Sequence, residues 1–263
     1  SPNPSINSNI SSNFITGDEN GPDLVIFGLE PNTKYYARFY ATNAAGTGYG
    51  TQIEFTTKAT NLNPALSYGS VMDIDGNSYA TIEIGTQTWM AENLKSSHYN
   101  NGDVIPYIQE PGDWAGLTTG AYGIYENKPA YNTAYGKLYN WYAVSDARGL
   151  CPSGWHIPND VEWIILRDFL GGSRVAGGKM KAGFYNPMPG LVATNESGFT
   201  GLSGGRHGND GFYNGVGSYA LWWGSTEVGS YDAWGGGLDF RDSSLGLGSF
   251  NKENGFSVRC LKD

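Results

Sequence analysis

Several groups of side chains in this 263-residue chain have the types that chemistry needs. Gly201-Leu202-Ser203-Gly204-Gly205 has the spacing of a hydrolase nucleophile elbow, where a strand-to-helix turn exposes the serine. That elbow needs an acid and then a histidine later in the chain. The one later histidine, His207, follows after four residues with no acid between, so no triad is expected. Gly46, Gly48 and Gly50 alternate like a nucleotide loop, but a strand pattern follows them where a phosphate cradle needs a helix. Asp73, Asp75 and Asn77 could offer oxygen atoms to calcium, which takes about six to eight. The same stretch holds Asp75-Gly76, a hairpin turn signal, and the turn alone accounts for these residues. Glu227, Asp232, Asp239 and Asp242 are equally open as calcium ligands, and no other cofactor is expected. Cys151 and Cys260 are too few for a zinc site, and no histidine stands at ligand spacing from either. They are either two buried thiols or one disulfide closing a long loop.

The densest aromatic stretch is Ser218 to Phe240, where Tyr219, Trp222, Trp223, Tyr231 and Trp234 stand among glycines with Asp232, Asp239 and Arg241. Large rings on glycine-rich segments present flat apolar faces, suited to sugar rings or to protein hot spots. Composition agrees with a binding module. Glycine numbers 39, aromatics reach 14% and charged residues only 16%, which is neither a disordered nor a collagen-like chain. A net charge of −9 opposes nucleic-acid binding, which runs on cationic contacts to phosphate. No apolar run approaches the roughly 20 residues that span a bilayer. An acidic, glycine-rich chain with two cysteines favours an exported protein, and no signal peptide stands at Ser1.

The elements that would position these residues fall into two parts. Residues 1–58 carry strand signals at Asp23–Leu29, Lys34–Asn43 and Thr51–Thr57, and residues 59–68 read as a linker. From Gly69 the pattern is mixed. Val71–Ile74 and Tyr79–Ile84 form a hairpin, Gly85-Thr86 turns into Thr88–Met90, and Ala91–Leu94 reads as one helical turn. Asn140 to Ala147 reads as a short helix. Asn159 with Glu162 makes a capping box for a helix that Gly171-Gly172 stops. Beyond Gly172 only short strands are expected. The fold class is α+β with much irregular loop.

Two resemblances sharpen this reading. Leu29-Glu30-Pro31-Asn32-Thr33-Lys34-Tyr35, Ala41 to Gly48 and Phe55-Thr56-Thr57 resemble the last three strands of a fibronectin type III domain, with Tyr35 as its tyrosine corner. Residues 1–58 would then be part of an all-β sandwich, which needs about seven strands to be complete. Residues 69–263 resemble the Fibrobacter succinogenes major paralogous domain family. The resemblance rests on Asp73-Ile74-Asp75-Gly76-Asn77, Gly85-Thr86-Gln87-Thr88-Trp89-Met90 and Tyr135-Gly136-Lys137-Leu138-Tyr139-Asn140-Trp141. It continues in Leu150-Cys151-Pro152-Ser153-Gly154-Trp155-His156, Thr194 to Phe199 and Gly255 to Cys260. Leu202 before the glycines, where the family usually has proline, and Gly224, where it prefers serine, are mild departures.

That family is similar to the C-type lectin-like superfamily, including its formylglycine-generating enzyme branch. The resemblance implies a lectin-like fold that brings the last strand beside the first helical region, and with it a Cys151–Cys260 bridge. It also implies that His98, His156, Trp89, Trp141, Trp155 and Trp163 are framework. Both cysteines match framework positions, so the catalytic cysteine pair of the enzyme branch is missing and no enzyme is expected. Trp223, Ala233, Leu238 and Phe240 match framework as well. Tyr219, Trp222, Tyr231, Asp232 and Trp234 lie between them and form the expected exposed ligand set. The expected function is an extracellular or cell-surface adhesion module that binds a glycan or a protein. The alternative is a structural repeat domain of a surface or fimbrial assembly.

Overall fold

The structure, a computed structural model, describes residues 15–18, 21–24, 29, 32–58, 60–182 and 193–263. The chain divides into two compact units, Ser1–Asn61 and Leu62–Asp263. In the first unit, β1 (Ile15–Asp18) pairs with β2 (Gly21–Leu24), β3 (Lys34–Ala37) with β6 (Ile53–Thr56), and β4 (Tyr40–Asn43) with β5 (Gly46–Tyr49), all antiparallel. The expected apolar strand at 23–29 therefore reaches β2 only with Asp23 and Leu24, and residues 25–28 lie outside the described residues. Lys34–Asn43, read as one strand, is two, because the chain changes partner at Arg38-Phe39. The Tyr35 ring stacks on Phe55, its cross-strand neighbour, at 6.0 Å.

The second unit opens with Leu62, Leu66 and Tyr68, residues of the expected linker that pack against its core. Strands β7 (Gly69–Met72), β8 (Ser78–Ile84) and β9 (Gln87–Met90) form the expected meander, turning at Asp75-Gly76 and at Gly85-Thr86. Ala91–Leu94 is not a helical turn. The Ala80 and Val258 carbonyls take the N–H groups of Ala91 and Leu94, so the segment is held by neighbouring chain instead. After it come α1 (Pro111–Trp114), β10 (Tyr122–Gly123), α2 (Pro129–Tyr135), β11 (Leu138–Tyr139) and α3 (Trp141–Val144), which Asn140 caps. Then follow β12 (Trp155–His156) and α4 (Asp160–Phe169), whose capping box joins Asn159 and Glu162 as expected.

The helix α5 (Ser173–Met180) stands where only strands were expected. Two glycines, Gly177 and Gly178, hide it from propensity. Tertiary contact supplies what they lack: Gly178 N–H donates to the Ser243 carbonyl and Leu245 N–H to that of Ser173. Five strands finish a second sheet: β13 (Gly204–His207), β14 (Tyr213–Val216), β15 (Tyr219–Glu227), β16 (Asp232–Asp239) and β17 (Gly246–Asn251). Its order is β14-β13-β15-β16-β17, antiparallel except for the β13–β15 pair. The last strand, β18 (Leu261–Lys262), inserts between β9 and β12, giving the first sheet the order β12-β18-β9-β8-β7. This brings Cys260 beside Cys151, and the two form a disulfide with Cα atoms 5.8 Å apart.

The core consists of two clusters. One gathers Tyr79, Met90, Tyr139, Trp141, Trp223, Phe256 and the disulfide. The other gathers Trp89, Trp163, Leu166, Phe199, Trp222 and Leu238. Trp89, Trp141 and Trp163 are core as expected, and Trp155 is partly buried against the first cluster.

Candidate functional site

Strand β15 runs between the two core clusters, so its faces are unlike those of an ordinary edge hairpin. Ala220 and Trp222 point into the second cluster, and Trp223 into the first. Tyr219 and Leu221 share Trp223's face but are only partly buried. The register continues that face across the sheet: Leu221 opposes Gly237, Gly237 opposes Gly246, Gly235 opposes Gly248, and Ala233 opposes Phe250. Core covers this face at its Trp223 end. At its Tyr219 end it opens as a trough of about 510 Å³, with Leu221, Gly237, Gly246, Gly248 and Phe250 in its lining and Arg206, Tyr219, Asp239, Asp242 and Ser244 among its polar groups.

The glycines there differ in kind. A Cβ on Gly235 would come within 2.8 Å of the Trp222 carbonyl, and one on Gly237 within 2.6 Å of Leu221 Cδ2. Backbone holds Gly235 to glycine, whereas at Gly237 the nearest atom is the end of the Leu221 side chain, which would have to turn aside. Gly248 would meet nothing within 4 Å, and Gly246 only the Gly237 carbonyl at 3.8 Å. Neither has a positive φ. Packing and backbone geometry would accept a side chain at both, and the floor is nonetheless bare.

The polar groups beside it are fixed. Lys181 is buried, and its ammonium donates to the Asp239 and Asp242 carbonyls, pinning the turn between β16 and β17; burial lowers its pKa. Asp242 Oδ1 accepts the Ser244 N–H and hydroxyl, both at 2.7 Å. Hydrogen bonds from the Arg241 side chain hold the Asp239 carboxyl below the usual carboxylate range, against a smaller opposing effect of burial. Arg206 Nε donates to Asn214 Oδ1 at 3.0 Å, and the Tyr219 hydroxyl donates to the same oxygen. A flat apolar floor beside carboxylates and a guanidinium can hold a ring by its apolar face and its hydroxyls by hydrogen bonds.

The expected ligand set does not come together. Tyr219 lines the trough. Trp222 is a correction: it is wholly buried, its ring lies 5.4 Å from that of Phe199, and its Nε1 donates to Asn93 Oδ1 at 2.8 Å. The same oxygen accepts from Arg259 Nε, a guanidinium that burial lowers to about 9 and that also bonds the Phe199 and Thr200 carbonyls. Trp234 is half-buried on the opposite face, in line with Gly236 and Leu238. Asp232 and Tyr231 sit at the far end of the β15–β16 hairpin, some 25 Å from Tyr219 at about 3.4 Å per residue. Tyr231 is 76% exposed there. Buried Lys252 braces that tip, donating to Glu227 at 2.5 Å and to the Gly229 carbonyl at 2.6 Å. The residues that sequence reasoning missed are Arg206, Leu221, Ser244, Gly246, Gly248 and Phe250. The Gly246-Leu247-Gly248 alternation is their one local signal.

The other candidates resolve locally. Asp73 accepts the Asp75 and Asn77 N–H groups on Oδ1, and Asn77 Nδ2 and the Tyr79 hydroxyl on Oδ2. Asp75 accepts from Ser97 N–H and pairs with His98 Nδ1, both at 2.5 Å. This is an Asx-type turn clasped to its neighbours. Among the described residues no group of three or more His, Cys, Asp or Glu is placed to hold a metal ion. Ser203 is buried, and buried His207 has its Nε2 on the Gly211 carbonyl at 2.9 Å, with burial lowering its pKa to about 4.

The second unit is thus a disulfide-bridged α+β domain, rich in strands, with an open glycine-floored trough on its second sheet. The chain belongs to the Fibrobacter succinogenes major domain family, whose model matches residues 82–262. No curated protein and no solved structure matches it.

Proposed function

We propose that this protein is a non-catalytic, exported adhesion module that takes an extracellular ligand in the trough between Tyr219 and Phe250. The observation that carries the reading is the bare floor at Gly246 and Gly248, where side chains would fit and none is present. The combination of flat apolar floor, two carboxylates and one guanidinium favours a saccharide over a protein loop. The disulfide, and the lack among the described residues of any helix long and apolar enough to cross a membrane, are compatible with export.

The test is a glycan array on the full chain, followed by calorimetry on any hit with the wild type and Gly248→Phe. The substitution fills the trough from its floor. Affinity is expected to fall at least about ten-fold, the effect of losing one good contact, with the melting temperature unchanged. A glycan that binds Gly248→Phe as well as wild type overturns the assignment of the site. A blank array with a positive protein array turns the reading to a protein ligand.

A further inference from the structure

Two guanidiniums stand at the trough, and they are used differently. Arg241 pairs with Asp239 at 2.6 Å, as Arg148 pairs with Asp103 and Asp146 and Arg167 with Asp168. Among the described residues no carboxylate pairs with Arg206. Its partners are neutral: Nε donates to Asn214 Oδ1 at 3.0 Å, and the guanidinium also bonds the Tyr219 hydroxyl. These contacts fix the group in place without neutralising it. A guanidinium carries five N–H donors, so both charge and donors are left over. The side chain is half-buried in the trough's wall, where a charge pair is screened less than on open surface.

The trough's own carboxylates are spent elsewhere, Asp239 on Arg241 and Asp242 on Ser244. Buried Lys181 adds a cation beside them, its ammonium on backbone carbonyls. Arg206, Arg241 and Lys181 thus face two carboxylates, a local positive excess in a chain of net charge −9. An anion is repelled by most of this chain and attracted here. Register then sets a length. Gly205 pairs with Ala220, which places Arg206 beside Leu221; Leu221 opposes Gly237, and Gly237 opposes Gly246. Arg206 therefore stands three strands from the bare floor, some 14 Å at about 4.8 Å per strand. That span suits two linked sugar rings.

We infer that the trough's ligand is an acidic saccharide of at least two rings, with a carboxylate on the Arg206 guanidinium and a neighbouring ring on the floor at Gly246 and Gly248. The inference rests on the trough reading and narrows it to sugars of the uronic-acid class. A planar carboxylate matches the guanidinium fork, and a sulfate ester is the competing anion. Asp242, with one carboxyl oxygen on Ser244, can accept the ligand's hydroxyls with the other.

Calorimetry on the full chain tests it, with uronic-acid disaccharides of several linkages, the methyl esters of the same sugars and a sulfated disaccharide. At least one free acid should bind, and its methyl ester should bind at least about ten-fold more weakly, because a charged hydrogen bond has become a neutral one. Arg206→Gln should bring the acid down to the level of the ester, with thermal melts to show that it folds. Arg206→Lys keeps the charge without the fork and should fall between. An acid and ester bound alike by wild type, or an acid bound alike by wild type and Arg206→Gln, overturns the inference. If Gly248→Phe still abolishes that binding, the trough reading stands without it. An acid lost on Arg206→Gln but held fully by Gly248→Phe overturns both. No uronate bound, or a sulfated sugar bound more tightly than every uronate, overturns the carboxylate assignment; a neutral glycan lost on Gly248→Phe would then still keep the trough.

Discussion

Replacing Trp222 by alanine tests the division of this sheet into a core face and a trough face. The ring is wholly buried, packs edge-on to Phe199 at 5.4 Å and lies 6.4 Å from Trp163. Truncating a buried tryptophan costs about 3–5 kcal/mol from lost transfer and the cavity left behind. Loss of the Nε1–H bond adds only about 1 kcal/mol, because Asn93 Oδ1 keeps its bond to Arg259 Nε at 2.8 Å. Against the roughly 5–15 kcal/mol that holds a domain together, this is a severe loss. The total of about 4–6 kcal/mol should lower the melting temperature by about 8–24 °C for a unit of this size. Trp222→Phe keeps a ring in the cavity and should fall between wild type and Trp222→Ala. Tyr231→Ala, at an exposed hairpin tip, should stay within about 0.5 kcal/mol. Urea denaturation of the three variants measures all of this. If Trp222→Ala lost no more than about 0.5 kcal/mol, the ring would not be core and the faces of β15 would be assigned the wrong way round.

Three further outcomes follow from other parts of the structure. Reducing the Cys151–Cys260 bridge, which spans 109 residues, should cost about 4–5 kcal/mol by the loop-closure estimate, read as a shift in the urea midpoint; peptide mapping without reductant should find the linked pair. His156 is drawn two ways: burial lowers its pKa, but the Asp263 and Glu162 carboxylates on its two nitrogens outweigh this and raise it above the ordinary value. Its contribution is therefore full below the unfolded pKa of about 6.5 and is lost as pH rises through the folded value; melts of wild type against His156→Gln should converge on the alkaline side. Gly177→Ala should destabilise by about 1–3 kcal/mol despite the better helix former, because its Cβ would lie 2.0 Å from the Ser244 carbonyl oxygen; an unchanged or raised urea midpoint would refute that close approach.

What the sequence disclosed was local, and what it hid depended on register. Asn159 and Glu162 announce the start of α4 because a capping box is written within four residues. Asp75-Gly76 announces its hairpin in the same way. Helix α5 was not legible, since Gly177 and Gly178 argue against a helix and its support comes from Ser243 and Leu245, far along the chain. Trp222 was misread for a related reason. Trp223 matches a framework position of the family and Trp222 does not, so the resemblance placed Trp223 in the core and Trp222 outside it. Here both faces of β15 meet a core cluster, and the two rings are buried in different ones.

The same dependence on register explains why the trough could not be located from composition. The chain's 39 glycines look alike in a count. In the second sheet they do two different jobs. Gly235 is glycine because the Trp222 carbonyl occupies the space a side chain would take, and a side chain at Gly237 would have to displace the end of Leu221. Gly246 and Gly248, their cross-strand partners, are under no such constraint. The first pair lets two strands and a core approach closely, and the second keeps a surface flat. A packing requirement is satisfied by the protein itself, whereas an empty floor does nothing for stability and costs the strand some backbone entropy. That unforced cost is the reason to seek the ligand over Gly246 and Gly248, and to treat the tryptophans beneath as the frame that holds the floor in place.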